Sequence, residues 1–419
     1  METVFRADRG RVLARLIGIF GDFDLAEDAL QDAWLAATIT WPTAGVPDNP
    51  AGWLVTTARR KAVDRLRSTT ASDRRQRAWG ELSITWDLGD GTEPIPDDRL
   101  RLIFTCCHPA LSLEAQVALT LRSLGGLSTE EVAKAFLVSG TALAQRVVRA
   151  KAKIRRAGIA YRVPDPGELP GRLGAVLAVL YLIFNAGYLP PSGAEVVNVD
   201  LCAEALRLCG VVVDLLPDES EPMALAAMMR FQHARRAARV DATGVPVTLE
   251  DQDRTRWDGA ELAAGMELLD RAQRTDCIGP YGLKASIAAL HVAAPRPDLT
   301  DWSSIVRLYD QLLTWEPTAV VRLNRAVAVA MADSPSAGLA LMDEPTLVHE
   351  LEGYHLYAAT RADLLRRSGH PREAAECYRR ARAQTNNVAE HRFIDRRLEE
   401  LGEWAGSPES PGSPPPTAG

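Results

Sequence analysis

Apolar residues recur at three- and four-residue spacing along almost the whole chain, and alternating strand-like runs are scarce. The pattern predicts an all-helical protein. Two stretches break it. Residues 69–96 are rich in Ser, Thr, Asp and Gly and hold Pro94 and Pro96, the make-up of a linker. Residues 403–419 run into a Ser/Pro/Gly tail that cannot build a core and is expected to be disordered. Between these breaks lie three helical blocks, 1–68, 97–160 and 161–402. Pro164, Pro166 and Pro170 open the last of them.

That last block contains an internal repeat. The segment from Asn324 to Pro335 overlays the one from Thr360 to Pro371 at an offset of 36, with Arg, Ala and Pro coinciding at 325/361, 326/362 and 335/371. Each copy reads as helix, short turn, second helix, and the second copy resembles a tetratricopeptide repeat, whose period is ~34 residues. Stacked hairpins of this kind present a concave surface to peptides or helices.

Charge divides the chain unevenly. Residues 1–160 carry 22 Lys and Arg against 19 Asp and Glu, while the remainder carries 26 against 36, so the formal net charge of −7 conceals a basic front and an acidic back. The front is the part suited to nucleic acid. The N-terminus lacks the basic-then-apolar layout of a secretion signal. The longest apolar run, Leu173 to Phe184, covers 12 residues, short of the ~20 that cross a bilayer, and reads as a buried helix. Six cysteines in 419 residues make no disulfide framework, so the expected compartment is the cytoplasm, with no membrane association.

The sharpest local signal lies between Leu127 and Arg156. Ser128 followed by Glu131 is a capping box that starts a helix, with Val132, Ala133 and Phe136 on its apolar face. A turn around Leu137, Val138 and Ser139 leads into a second helix, whose apolar positions are Leu143, Val147, Ala150 and Ile154. Its other faces carry Arg146, Arg149, Lys151, Lys153, Arg155 and Arg156, with no acid among them. Short helix, tight turn and basic amphipathic helix make a helix-turn-helix, whose second helix enters the major groove. A solvated basic face on an ordinary hairpin is the competing reading, and six cations without an acid argue against it.

The first block holds a second polarised pair. Asp22, Asp24, Glu27, Asp28 and Asp32 with Gln31 form an acidic helix start, more acid than helix-dipole preference alone explains. Beyond a proline-rich loop, a helix headed by Trp53 buries Leu54, Ala58, Ala62, Val63 and Leu66 and crowds Arg59, Arg60, Lys61, Arg65 and Arg67 onto its remaining faces. One helix suits a basic protein surface and the other suits phosphates.

These residues resemble the bacterial RNA polymerase sigma factors of the extracytoplasmic-function type. The family reads roughly A-E-D-x-x-Q-[DE] on one helix, matched here by Ala26-Glu27-Asp28-Ala29-Leu30-Gln31-Asp32. Its next helix reads roughly W-L-x-x-x-A-R-x-x-A-x-D-x-x-R, matched in order by Trp53-Leu54, Ala58-Arg59, Ala62, Asp64 and Arg67. A run like R-x-x-R-A-[RK] closes the family's helix-turn-helix, matched by Arg146 to Lys151. The chain departs from the pattern at Arg60, where Asn is usual, and at Leu137, where Gly is common.

The resemblance implies an adaptor that binds core RNA polymerase and supplies promoter specificity. Glu27, Asp28, Gln31 and Asp32 would dock on the polymerase. Arg59, Arg60, Lys61, Arg65 and Arg67 would hold the −10 region of promoter DNA, where melting costs a few kcal/mol per step. Thr141, Ala144, Gln145, Arg146 and Arg149 would face the −35 groove, with Lys151, Lys153, Arg155 and Arg156 on backbone phosphates. The back half resembles the extension of a sigma-factor group ending in tetratricopeptide-like repeats. It implies regulation by that extension or a protein partner for it.

No Walker loop, dinucleotide fingerprint, HExxH or nucleophile elbow occurs, so neither catalysis nor a cofactor is expected. Cys106-Cys107-His108 reads as helix core, because three adjacent ligands cannot easily close a tetrahedral metal site. Cys202 and Cys209, seven apart, are expected to pack on one helix face. A helix-turn-helix regulator with a repeat-type sensor, acting without polymerase, is the alternative function, and a repeat scaffold with no nucleic-acid role is a second. The acidic helix argues against the first and the acid-free basic face against the second.

Overall fold

In a computed structural model of the chain, the described residues are 2–68, 98–136, 138–188, 199–275 and 278–406. The expected linker at 69–96 and residues 407–419 of the expected tail lie outside them, as does Leu137 at the helix-turn-helix turn. The described residues are all-α, apart from one isolated bridge between Val240 and Pro246. They group into two units, one of residues 1–184 with 207–215, the other of 185–206 with 216–419.

The first unit opens with three helices, α1 (Glu2–Phe20), α2 (Phe23–Ala44) and α3 (Pro50–Ser68). Gly21, at φ 65°, turns α1 into α2 in a conformation that costs glycine least. Leu13 and Leu16 on α1, Leu30 on α2 and Leu54 on α3 are all fully buried. Four further helices follow: α4 (Arg99–Cys106), α5 (Leu113–Ser123), α6 (Thr129–Ala135) and α7 (Gly140–Arg156). Their core holds Leu102, Phe104, Leu119 and Leu121. Cys106 and Cys107 belong to it. Burial pushes both thiols up, Cys107 to about 12, and Cys107 Sγ sits 3.5 Å from Thr120 Oγ1. His108 Nδ1 accepts the Ala110 backbone N–H at 3.1 Å, a turn-stabilising contact.

The first unit continues into α8 (Leu169–Tyr188), where Arg172 donates to the Phe104 carbonyl at 2.7 Å, and includes the end of α9 (Val199–Leu215), where Arg207 donates to the Leu124 carbonyl at 3.0 Å. By length and composition alone α8 could cross a membrane. The apolar run proves to be part of a 20-residue helix. Leu173, Val176, Leu180 and Phe184 on it are at most 4% exposed, so one side is core. Cys202 and Cys209 are both fully buried.

The second unit contains α10 (Ser220–Ala234), α11 (Gly259–Gln273), α12 (Pro280–Ala293), α13 (Trp302–Trp315), α14 (Ala319–Ala332), α15 (Pro335–Met342), α16 (Pro345–Glu350), α17 (His355–Arg367), α18 (Pro371–Gln384) and α19 (Val388–Gly406). The sequence repeat maps onto two helical hairpins, α14–α15 and α17–α18. Pro335 and Pro371 each take the first helical position, where proline's missing N–H costs nothing. The repeated Ala326 and Ala362 are both fully buried at the hairpin contacts. A Cβ on Gly338 would stand 2.4 Å from Ala330 Cβ and 2.8 Å from the Ala326 carbonyl oxygen, so α14 and α15 touch backbone to backbone there. The repeated arginines both pair with acids: Arg325 with Asp310 at 2.6 Å, and Arg361 with Asp343. This part of the extension is tetratricopeptide-like.

Candidate nucleic-acid interface

The helix-turn-helix is built by two caps. Ser128 N–H donates to Glu131 Oε2 at 2.6 Å, and Glu131 N–H donates back to Ser128 Oγ at 3.1 Å, the reciprocal pair expected from the sequence. Ser139 then starts α7 by accepting the Ala142 N–H at 3.1 Å. Leu143, Val147, Ala150 and Ile154 are all buried and fix which way α7 faces. Thr141, Ala144, Gln145, Arg149, Lys153, Arg155 and Arg156 are consequently exposed, and Arg146 is half-exposed. No acid interrupts this face.

Lys151 is different. Its side chain is 9% exposed, and its Nζ lies 2.8 Å from Glu27 Oε2 and 3.1 Å from Asp24 Oδ1. Arg155 adds contacts to Asp22 at 3.6 Å and Asp24 at 3.4 Å. The expected phosphate-contacting lysine is thus turned to the start of the acidic helix.

That helix, α2, begins at Asp22, whose carboxylate accepts the Asp24 and Leu25 N–H groups at 2.8 and 3.0 Å. Ala26, Ala29, Leu30, Ala33 and Ala37 form its buried stripe, leaving Asp28 and Gln31 exposed and Glu27 and Asp32 half-exposed. In α3, Asn49 Oδ1 accepts the Gly52 N–H at 2.9 Å at the helix start. Leu54, Ala58 and Ala62 face the core and Val63 is half-buried. Arg60 and Lys61 are exposed and Arg59 is half-exposed. Arg65 and Arg67 continue the same helix, with Leu66 between them, their side chains outside the described residues. Trp34, Trp41 and Trp53 form an edge-to-face ladder with centroid spacings of 5.8 and 5.4 Å, which clamps the acidic helix to the basic one.

Sequence reasoning missed one feature of this surface. Leu35 and Ile39 are 56% and 77% exposed. With Asp32, Ala36, Thr40 and Lys61 they line an open groove of about 410 Å³ between α2 and α3. The signal was the four-residue spacing Gln31, Leu35, Ile39, which places two apolar residues on the polar face of α2.

Comparison with known proteins bears on both halves of the chain. Residues 4–72 match Sigma-70 region 2, residues 101–154 match Sigma-70, region 4, and residues 172–273 match the family of unknown function DUF6596. An uncharacterized protein of Rhizobium meliloti (strain 1021) is 40% identical over 402 residues, 94% of either chain. The ECF RNA polymerase sigma factor SigK of Mycobacterium sp. (strain KMS) is 29% identical over 138 residues, 32% of this chain and 69% of its own. SigK of Mycobacterium tuberculosis (strain ATCC 25177 / H37Ra) is 26% identical over 153 residues, 35% of this chain and 79% of its own. With the capped helix-turn-helix, the paired acidic and basic helices and the helical extension, these matches identify the chain as a member of the extracytoplasmic-function sigma factors of the sigma-70 family, in the group with a tetratricopeptide-like C-terminal extension.

Proposed function

We propose that this sigma factor directs core RNA polymerase to promoters through three surfaces of its front half. The acid-free exposed face of α7 carries the reading. Thr141, Ala144, Gln145, Arg146 and Arg149 lie along one helix that a buried stripe holds in a fixed orientation, suited to base edges at −35. Lys151 and Lys153 would contact the flanking phosphates. Arg59, Arg60, Lys61, Arg65 and Arg67 on α3 would hold the −10 element as its strands part, where phosphate contacts offset the loss of stacking. Glu27, Asp28, Gln31 and Asp32 on α2 would dock on a basic surface of the polymerase, with Leu35 and Ile39 extending that contact.

In this reading residues 1–68 and 97–160 are the two sigma domains, joined by 69–96, and residues 161–402 regulate them, alone or through a protein partner of the repeat. The work is done in the cytoplasm, where polymerase and DNA are. It calls for no cofactor and no catalytic residue in this chain.

The test is gel-shift binding of core polymerase plus this chain to promoter fragments selected from genomic DNA. Sequence-selective retention that needs both proteins is expected. Equal retention by this chain without polymerase would instead favour a conventional regulator.

A further inference from the structure

Glu27 and Lys151 are assigned above to two different partners, polymerase and DNA, yet in the free chain each is bonded to the other. An ammonium has three N–H donors, and two of those on Lys151 are spent on Glu27 at 2.8 Å and Asp24 at 3.1 Å. At 9% exposure it has no open side from which to reach a phosphate. Arg155, one turn further along α7, shares Asp24 with it at 3.4 Å and adds Asp22 at 3.6 Å. Tyr161, which lines the same cavity as Asp22, Asp24, Lys151 and Arg155, donates to the Ala14 carbonyl at 2.6 Å, and Arg15 pairs with Asp98 at 3.3 Å, so the contact between the two sigma blocks extends beyond this cluster.

We propose that the cluster of Lys151 and Arg155 with Asp22, Asp24 and Glu27 is an intramolecular latch that closes the two sigma domains on each other and withholds α2 from polymerase and part of α7 from DNA. This rests on the partner assignments of the preceding subsection. The cations of α7 occupy the acidic helix as a basic surface of polymerase would. Docking therefore exchanges one set of ion pairs for another, and the closed form costs affinity in proportion to its population.

The experiment uses the full chain. A zero-length carbodiimide joins an amine to a carboxylate only where the two are in contact. We expect it to link Lys151 to Asp24 or Glu27 in the free protein, read by mass spectrometry, and this link to disappear when core polymerase is added. The Asp24→Arg variant changes an exposed residue that is not assigned to either partner and sets a cation against Lys151 and Arg155. It should bind core polymerase about tenfold more tightly than the wild type. Asp24→Arg combined with Arg155→Asp restores an opposite-charge pair and should return affinity toward the wild-type value. A cross-link that persists in the polymerase complex, its absence from the free chain, or equal affinities of wild type and Asp24→Arg would overturn the latch while leaving the sigma assignment standing. Failure of both proteins to bind core polymerase at all would overturn the assignment and the latch together.

Discussion

The indole of Trp41 meets that of Trp53 edge-to-face at 5.4 Å, joining the end of the acidic helix to the head of the basic helix across the proline-rich loop. Trp41 is 3% exposed, so truncating it removes a large buried surface and leaves a cavity. Trp41→Ala should destabilise the first unit by about 3–5 kcal/mol, read as a lowered midpoint in chemical denaturation. Because the ladder sets the angle between α2 and α3, Trp41→Phe should retain most of that stability.

The exposed face of α7 separates two kinds of contact. Arg149→Ala should relax discrimination at one position of the −35 element, at a cost of about 1–3 kcal/mol for the preferred base. Lys153→Ala should weaken binding to all sequences alike and reduce the salt dependence by about one unit of slope. Competition binding of the polymerase complex across a promoter library at two salt concentrations separates the two effects. Equal effects on every sequence from both variants would remove Arg149 from base reading.

Two glycines in helices should respond in opposite directions. Gly338→Ala drives a methyl into Ala330 and the Ala326 backbone and should cost about 1–3 kcal/mol. Gly174→Ala meets nothing within 4 Å on an exposed helical face and should add roughly 0.5–1 kcal/mol. Thermal denaturation of the two variants beside the wild type checks the pair.

Acid should weaken the second unit through His291. Burial, then the positive charges of Arg235 and Arg254, push its imidazole down to about 4. The folded state therefore binds fewer protons than the unfolded state between that value and the ordinary histidine range near 6.5, so stability falls as pH drops through this window. His233 shifts in the same direction, mainly by burial. The loss in urea midpoint between pH 7.5 and pH 5 should be smaller in His291→Phe than in the wild type, with Trp302, edge-on at 5.0 Å, still packed against the new ring.

The boundary of the front half is also open to measurement. Arg172 holds the Phe104 carbonyl and Arg207 that of Leu124, both within the first unit. A fragment ending at residue 215 should accordingly be more stable than one ending at 165, by the ~1.5–3 kcal/mol of each charged hydrogen bond. Equal denaturation midpoints would show that these two arginines add nothing.

Much of this was legible in the sequence because it is local. The Ser128–Glu131 box, the buried stripe of α7 and the repeated prolines each depend on residues within a few turns of one another, where spacing decides the outcome. The pairing of Lys151 with Glu27 joins positions 124 residues apart, and no periodicity reports it. Local reading placed Lys151 on the phosphates because its stripe neighbours left it on a basic face. Tertiary contact then closed that face over it. Leu35 and Ile39 were missed for a related reason: two apolar residues on an otherwise polar stripe look incidental until the groove beside Lys61 is seen. The 24-residue connection between α10 and α11 carried no periodic signal. Its order comes from side chains such as Asp241, which accepts from Thr243 and Val245 and pairs with Arg396 at 2.7 Å.

Whether this chain gives core polymerase its promoters is decided by transcription in vitro. Core polymerase would be run on sheared genomic DNA with and without the full chain, and again with the Asp24→Arg variant, and the 5′ ends of the transcripts mapped. New start sites that depend on the chain and share −35 and −10 elements are expected. Transcripts that are the same with and without either protein would show that the chain supplies no promoter specificity.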